Sequence, residues 1–360
     1  MRIPDGSRVE DYDYDLPPDR VAKYPAARRD ASRLLVLEPS PPGSPSAPEP
    51  RHLKFHDLPA LFHEGDLLVV NESKVLPARL IGRKPTGAPS EVLLLRPAPS
   101  WGDPLVWEAL VRPGSKLKPG RTVVVADDLA VEILDSAPGS GRIVRLVTSL
   151  SVEEALERYG RVPLPPYLER EDEPSDRERY QTVYAKVPGS VAAPTAGLHF
   201  TPEVFARLEE RGVERAALTL HVGIGTFRPL EEEGAYAKGL HAEWYCVPEA
   251  TADAVQRARS RGGRVWAVGT TTVRTLETVA DAAGNVRAGS GATTLFIRPP
   301  HAFRAVDCLV TNFHLPRSTL LMLVAAFAGY GRTMAAYRAA VQAGYRFYSY
   351  GDAMAIVRRP

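Results

Sequence analysis

Between Val75 and Leu150 the chain carries no helical period. It carries instead six short β-rich runs, "VLPARLIGR", "EVLLLR", "WEALVR", "RTVVV", "LAVEIL" and "GRIVRLV", parted by Gly, Pro, Asp or Ser. Strands spaced this closely can bury their apolar faces only against each other, which predicts a small barrel or sandwich. After Ser151 the rhythm changes. "TPEVFARLEERG" predicts a helix, with Thr201 as cap, Pro202 at its first position and Gly212 closing it. The strand "AALTLHV" follows, then the helix "PEATADAVQRARSRGG" and the strand "RVWAVG". "TVRTLETVADAAG", "STLLMLVAAFAG" and "TMAAYRAAVQAG" read as helices, "TTLFI" and "DCLVT" as strands. Such alternation predicts a mostly parallel or mixed sheet covered on both faces. The apolar strand in "GDLLVVNESKV" precedes the β-rich stretch and belongs with the later sheet. The expected architecture is an α/β domain of residues 1–74 and 151–360, with a small all-β, barrel-like domain of residues 75–150 inserted in it.

The length of 360 residues fits two such units. The net charge of +2 leaves any nucleic-acid partner to be held by a local basic patch. Two cysteines, Cys246 and Cys308, lie far apart in or beside apolar stretches and read as core residues; no zinc-type spacing accompanies them. The polar N-terminus is unlike a signal peptide, and the longest apolar run, Thr319 to Gly329, is too short to cross a bilayer. A cytoplasmic protein without membrane contact is expected. The Pro/Ser-rich stretch 38–51 reads as an exposed loop.

"LTLHVGIGTF", Leu218 to Phe227, has the look of a dinucleotide loop, but the test fails. A G-x-G-x-x-G motif needs glycine where Arg228 stands, and a G-x-G-x-G motif needs it where Phe227 stands. The sequence "FRPLEEEG" that follows cannot start the helix such a loop requires. What remains is His221 at a strand end, with Gly223 and Gly225 allowing close approach. The pattern recurs. His199 precedes a helix in "PTAGLHFTPE", and Asn312 and His314 follow a strand in "LVTNFHLPRSTL". In "AVGTTTVRTLE", Thr270, Thr271 and Thr272 join strand to helix, with Arg274 in the first turn. Those threonines are either helix caps or part of an anion site; an arginine so placed opposes the helix dipole and favours an anionic partner.

Seven further segments carry a resemblance: "VPLPPYLER", "DRERYQTVYA", "GSVAAPTAGLHFT", "LTLHVGIGTFRPL", "AVGTTTVRTLE", "LVTNFHLPRSTLLMLVAAFAG" and "YRFYSYGDAMAI". With "DYDLPPDRVAKYPAARRDASRLLVL" and "GDLLVVNESKVLPARL" near the start, the chain resembles the S-adenosylmethionine:tRNA ribosyltransferase-isomerases of queuosine synthesis over nearly its whole length. It departs from their pattern at Asn71-Glu72-Ser73-Lys74-Val75, where Asn-Asn/Asp-Thr/Ser-Arg-Val is usual, and in the turn "TGAPSEVLL". It departs again at Lys238 to Glu243, where only His241 and Glu243 of the His-x-x-His-Ser-Glu pattern are retained. The stretch 38–51 looks like an insertion.

The resemblance implies transfer and isomerisation of the ribosyl part of S-adenosylmethionine (SAM) onto the aminomethyl-deazaguanine wobble base of a tRNA. The product is epoxyqueuosine-tRNA, with adenine and methionine released. SAM is then a substrate, no metal or redox cofactor is implied, and the enzyme is expected to act as a monomer. The chemistry needs a base for the acidified ribose methylene, a proton for departing adenine and a neutral attacking amine. Histidines suit those transfers. On this basis His199, His221 and His314 are expected to move protons or orient substrate, and Glu243 or Asp352 to supply a carboxylate. Thr270, Thr271 and Arg274 are assigned to the methionine carboxylate, with Gly223, Gly225 and Asn312 also lining the SAM site. Tyr348 and Tyr350 either stack on a base or pack a turn. Arg28, Arg29, Arg33, Lys74, Arg79 and Arg83 are the tRNA-contact candidates. A non-catalytic tRNA-binding module and a SAM methyltransferase are the competing readings. The polar strand ends count against the first and the failed glycine loop against the second.

Overall fold

The computed structural model describes residues 3–39, 48–223 and 240–358. Among them, a nine-stranded mixed sheet forms the larger part. Its order is Gly289–Thr293, Glu243–Val247, Glu214–Leu220, Leu67–Asn71, Val265–Val268, Cys308–Asn312, Ala353–Val357, Arg33–Leu37 and Arg51–Lys54. The four strands from Glu214–Leu220 to Cys308–Asn312 are mutually parallel. Antiparallel pairings at Glu243–Val247 and Ala353–Val357 flank them.

Alternation along the central strands explains why both faces are covered. Leu67, Val69, Val265, Ala267 and Leu309 enter one core, while Leu68, Val70, Trp266, Val268 and Val310 enter another. A strand buried on both faces must be apolar throughout, which is what "LLVV" supplies. The first core holds residues of the helices Glu249–Ser260, Thr270–Val279, Thr319–Ala328 and Tyr330–Gln342. The second holds Phe55, Leu58 and Leu61 of a 3-10 turn and Val204 and Leu208 of the helix Pro202–Glu209. That helix starts as its sequence predicts, with Thr201 Oγ1 accepting from the Val204 amide at 3.3 Å. Among the described residues no single helix is long and apolar enough to cross a membrane; of the bent pair, Thr319–Ala328 is mostly buried and Tyr330–Gln342 buries one face.

The six β-rich runs form one closed antiparallel barrel, in the order Gly141–Val147, Val106–Arg112, Pro89–Pro97, Arg79–Arg83, Thr122–Ala126 and Leu129–Ala137. The helix Val152–Tyr159, capped by Ser151, adds Ala155 and Leu156 to the barrel's core. The chain enters and leaves the barrel through one neck. Arg79 and Arg161 exchange backbone hydrogen bonds of 3.2 and 2.9 Å. At Gly160 a Cβ would lie 1.9 Å from the Pro77 carbonyl oxygen, so only glycine lets the two passes touch.

Two expectations need correction. "TTLFI" is not a strand: pairing covers Gly289–Thr293 and stops there, and Leu295 to Ile297 pack as irregular chain against the helical core. Cys308 is buried as expected, but Cys246 is only partly buried, because its strand lies near the edge of the sheet. Of the 38–51 stretch, residues 40–47 lie outside the described residues; its flanks pair antiparallel, Val36 opposite Arg51.

Candidate active site at the carboxyl edge of the sheet

The topology brings the sequence-selected residues to one edge. The four parallel strands end there at Leu220, Asn71, Val268 and Asn312. Glu243–Val247, Ala353–Val357 and Arg33–Leu37, which run the other way, begin there. His221, Thr270, Asn312, Glu243 and Asp352 therefore converge on one rim, where parallel sheets present their ligand sites.

His199 lies in the buried corner of this rim. Its Nε2 accepts from Asn312 Nδ2 at 3.1 Å, which leaves Nδ1–H to donate to Ser32 Oγ at 2.8 Å. Asn312 Oδ1 accepts from Thr195 Oγ1 at 2.9 Å, and Phe55 stacks on the imidazole at 5.0 Å. Burial, with the charges of Arg346 and Arg29, pushes the His199 pKa down to about 3. A ring that is neutral, buried and bonded at both nitrogens positions neighbours and does not exchange protons near neutral pH. His314 is also buried, which lowers its pKa to about 3; one ring nitrogen, Nε2, meets Thr311 Oγ1 at 2.9 Å, and its backbone amide donates to Tyr337 Oη at 3.1 Å.

His221 differs. Its Nδ1 meets Ser73 Oγ at 3.0 Å, and Ser73 Oγ in turn bonds to Ser190 Oγ. Ser190 Oγ accepts from the Val222 amide at 2.9 Å, which fixes the relay. Trp244 stacks on the ring at 5.0 Å and 22°. No hydrogen bond engages Nε2 among the described residues. Burial lowers the His221 pKa, so the ring is neutral near pH 7, yet the residue is only partly buried. Gly189 makes this possible: a Cβ there would lie 2.6 Å from Nε2, and its φ of +143° is one that L side chains rarely adopt. Any side chain at 189 would cover the free nitrogen.

Asn71 ties the rim together. Its amide Nδ2 donates to the Leu220 carbonyl at 3.0 Å, and its Oδ1 accepts from the amides of Leu220 (3.0 Å) and Ser73 (3.1 Å). The same Nδ2 reaches Thr271 Oγ1 at 3.3 Å. One side chain thus places His221, Ser73 and the start of the helix Thr270–Val279. Within that helix Arg274 forms a buried ion pair with Glu243 and donates through Nε to the Leu295 carbonyl at 2.9 Å. Its Nη2 is buried and has no hydrogen-bond partner among the described residues. Glu243 Oε1 also accepts from the Gly223 amide at 2.8 Å. Gly223 contributes that amide, not empty space, since a Cβ there would meet Glu243 Oε1 at an ordinary 3.8 Å. Gly225 lies outside the described residues.

The remaining candidates have other tasks in this geometry. Asp352 accepts from the backbone amides of Arg33 and Arg346, each at 2.8 Å, and so clamps two chain segments. Tyr348 and Tyr350 are buried; Tyr348 packs on Tyr167 at 4.7 Å, and Tyr350 donates to Asp176 at 2.7 Å, so the packing reading holds. Arg29 donates to the Leu198 and Glu178 carbonyls, Arg33 lies 3.7 Å over the Tyr345 ring, and Arg79 pairs with Glu91. Arg28, Lys74 and Arg83 are exposed. They come from three separate segments of the chain. Among the described residues no group of three His, Cys, Asp or Glu is placed to hold a metal ion.

Asn71, Ser73, Gly189, Ser190 and Trp244 were not among the expected site residues. Asn71 and Ser73 had a signal, since they are polar residues closing an apolar strand, the same pattern that singled out His221. Gly189 and Trp244 had none, because their task arises only when distant segments meet.

The model of the family described as "Queuosine biosynthesis protein" matches residues 9–356. The S-adenosylmethionine:tRNA ribosyltransferase-isomerase of Moorella thermoacetica is 53% identical, over 97% of this chain and 100% of its own. The protein of that name from an Anaeromyxobacter species is 52% identical, over 98% and 99%. The crystal structure of S-adenosylmethionine tRNA ribosyltransferase from Thermotoga maritima matches with a TM-score of 0.53 at 40% identity, over 96% of this chain and 99% of that one. A match spanning nearly every element of both the sheet and the barrel, at such identity, leaves one conclusion: the chain belongs to the queuosine biosynthesis protein family.

Proposed function

We propose that the carboxyl rim of the sheet carries out the reaction for which the relatives are named. The chain is an enzyme, a transferase and isomerase of queuosine synthesis that uses SAM as a substrate and modifies tRNA. In the finer reading the acceptor is the aminomethyl-deazaguanine base at the wobble position, epoxyqueuosine-tRNA is formed, and adenine and methionine leave. The enzyme works as a monomer.

The observation that best supports a residue-level mechanism is the half-open imidazole of His221. If Nδ1–H donates to Ser73, Nε2 carries a bare lone pair beside Gly189. That lone pair takes a proton from the methylene next to the SAM sulfonium or from the attacking ammonium, and the resulting imidazolium can protonate departing adenine. The rim needs no second titrating histidine: His199, with Asn312, and His314 hold the strand ends in place. Asp352 does the same for Arg33 and Arg346.

Arg274, held by Glu243 and the Leu295 carbonyl, directs Nη2 at the methionine carboxylate. Thr270 and Thr271, with the amides of the helix start, complete that anion site. Glu243 acts here as the partner that orients Arg274 and the Gly223 amide, not as a base. For tRNA, the exposed Arg28, Lys74 and Arg83 are the better phosphate contacts. Arg29, Arg33 and Arg79 are only partly exposed; Arg28 is exposed but pairs with Asp30 at 3.1 Å, and exposed Arg83 donates to the Gly87 carbonyl at 3.0 Å.

The test is to incubate the protein with SAM and tRNA bearing the precursor base and to identify the products. Adenine and methionine in equal amounts, with a ribosylated tRNA, are expected. S-adenosylhomocysteine, or tRNA binding without turnover, would overturn the reading.

A further inference from the structure

We propose that Trp244 is the platform on which the tRNA base stacks while it reacts at His221; this rests on the ribosyl-transfer reading above. Trp244 is one of the few large apolar side chains left open, 44% exposed, although it sits beside the most chemically distinctive group of the rim. One face of its indole covers the His221 imidazole, with ring centres 5.0 Å apart. The His221 amide donates to the Trp244 carbonyl at 2.9 Å, which fixes the two residues side by side on neighbouring strands. The imidazole is anchored from its other side by Ser73 and cannot rotate away without losing that bond. The stack is therefore rigid, and its remaining aromatic surface is exposed to solvent. The core tryptophan Trp266, by contrast, is fully buried: it stacks on Phe62 and donates its Nε1–H to Asp66.

Small-molecule sites are concave and cover most of their ligand. An indole this open suits a base delivered from outside, splayed from its strand and stacked on an aromatic face. The surroundings carry the matching charge. Ser73 lies in the strand Ser73–Val75, paired in parallel with Val187–Ser190. Lys74 follows Ser73 in that strand, opposite Pro188, and Lys186 lies just before the strand Val187–Ser190. Both are exposed, and neither makes an ion pair among the described residues. The ribbon that holds His221 through Ser73 thus carries two cations available to the phosphates flanking that base.

The experiment measures initial rates of adenine release with SAM and precursor-bearing tRNA varied in turn, for wild type, Trp244→Phe and Trp244→Ala. Base stacking on an aromatic is worth about 1–3 kcal/mol. Trp244→Ala should therefore raise the KM for tRNA by about 5- to 150-fold with the KM for SAM within about twofold, and Trp244→Phe should recover most of the loss. Unfolding midpoints of the three proteins report any structural loss separately. If the KM for SAM rises instead, the platform holds adenine and the proposal is wrong. If neither KM moves, the stack only braces His221 and the proposal is equally wrong. Wild type is the internal control. Failure of wild type to release adenine would overturn the reaction itself, whereas release by wild type with an unmoved tRNA KM in Trp244→Ala would overturn this inference alone.

Discussion

The His199 and His221 corners begin from the same sequence signal and end in opposite states. Each histidine lies in a glycine-containing segment at the carboxyl rim. His199 is 4% exposed, bonded at both ring nitrogens and covered by Phe55. His221 is bonded at one nitrogen, and Gly189 leaves the other uncovered. The difference lies in what distant segments bring. Ser32 and Asn312 close the first corner, while Ser73 and Gly189 hold the second open. A histidine at a strand end is thus made a structural pin or a proton carrier by its neighbours' spare valence, not by its own motif.

The contrast can be broken most forcefully at His221. His221→Ala should lower kcat for adenine release by about two to four orders of magnitude while the unfolding midpoint stays near wild type. Steady-state rates and a thermal melt check both halves. Next comes Arg274→Ala, which removes one partner of a buried pair and strands Glu243. A destabilisation of about 3–5 kcal/mol in urea unfolding is expected, together with a raised KM for SAM. An unchanged KM in the folded variant would remove Arg274 from the SAM site.

At the other corner the expected loss is of stability, and it depends on pH. His199 and His314 have folded pKa values of about 3, below the ordinary value of about 6.5 that the unfolded chain shows. Above pH 6.5 both states are neutral, and the stability is fully present. As pH falls from 6.5 toward 3 the unfolded chain takes up protons that the folded one refuses, so stability is lost. The slope should approach about 1.4 kcal/mol per pH unit for each histidine. Urea unfolding at pH 7, 6 and 5 measures it, and His199→Asn should remove its share, leaving that of His314, while lowering stability at pH 7 by about 1–3 kcal/mol. The smallest effect is expected from Ser73→Ala. It loosens the His221 ring without removing it and should cost about fivefold in kcat, the worth of one ordinary hydrogen bond.

How much of this was legible in the sequence follows from the range of the forces involved. The barrel strands and most strands and helices of the larger sheet announce themselves through local periodicity, because each element must present an apolar face to a core. "TTLFI" misled, since its apolar residues pack against helices without any strand partner. The rim was also legible as a set of strand-end polar residues, because a parallel sheet gathers such ends. Roles within the set were not. Whether Asp352 is a base or a clamp depends on the Arg33 amide 319 residues away, and whether His221 is open depends on Gly189. No local pattern encodes either fact.

The pH–rate profile of adenine release tests the central claim most directly, with wild type, His221→Gln and His199→Asn compared under saturating SAM and tRNA. A general base works only when neutral, so kcat should fall on the acid side as His221 becomes protonated, at a pH below the ordinary histidine value because burial lowers its pKa. This acid limb should persist in His199→Asn and disappear, at a much reduced rate, in His221→Gln. The same acid limb in His221→Gln at near wild-type rate would contradict it.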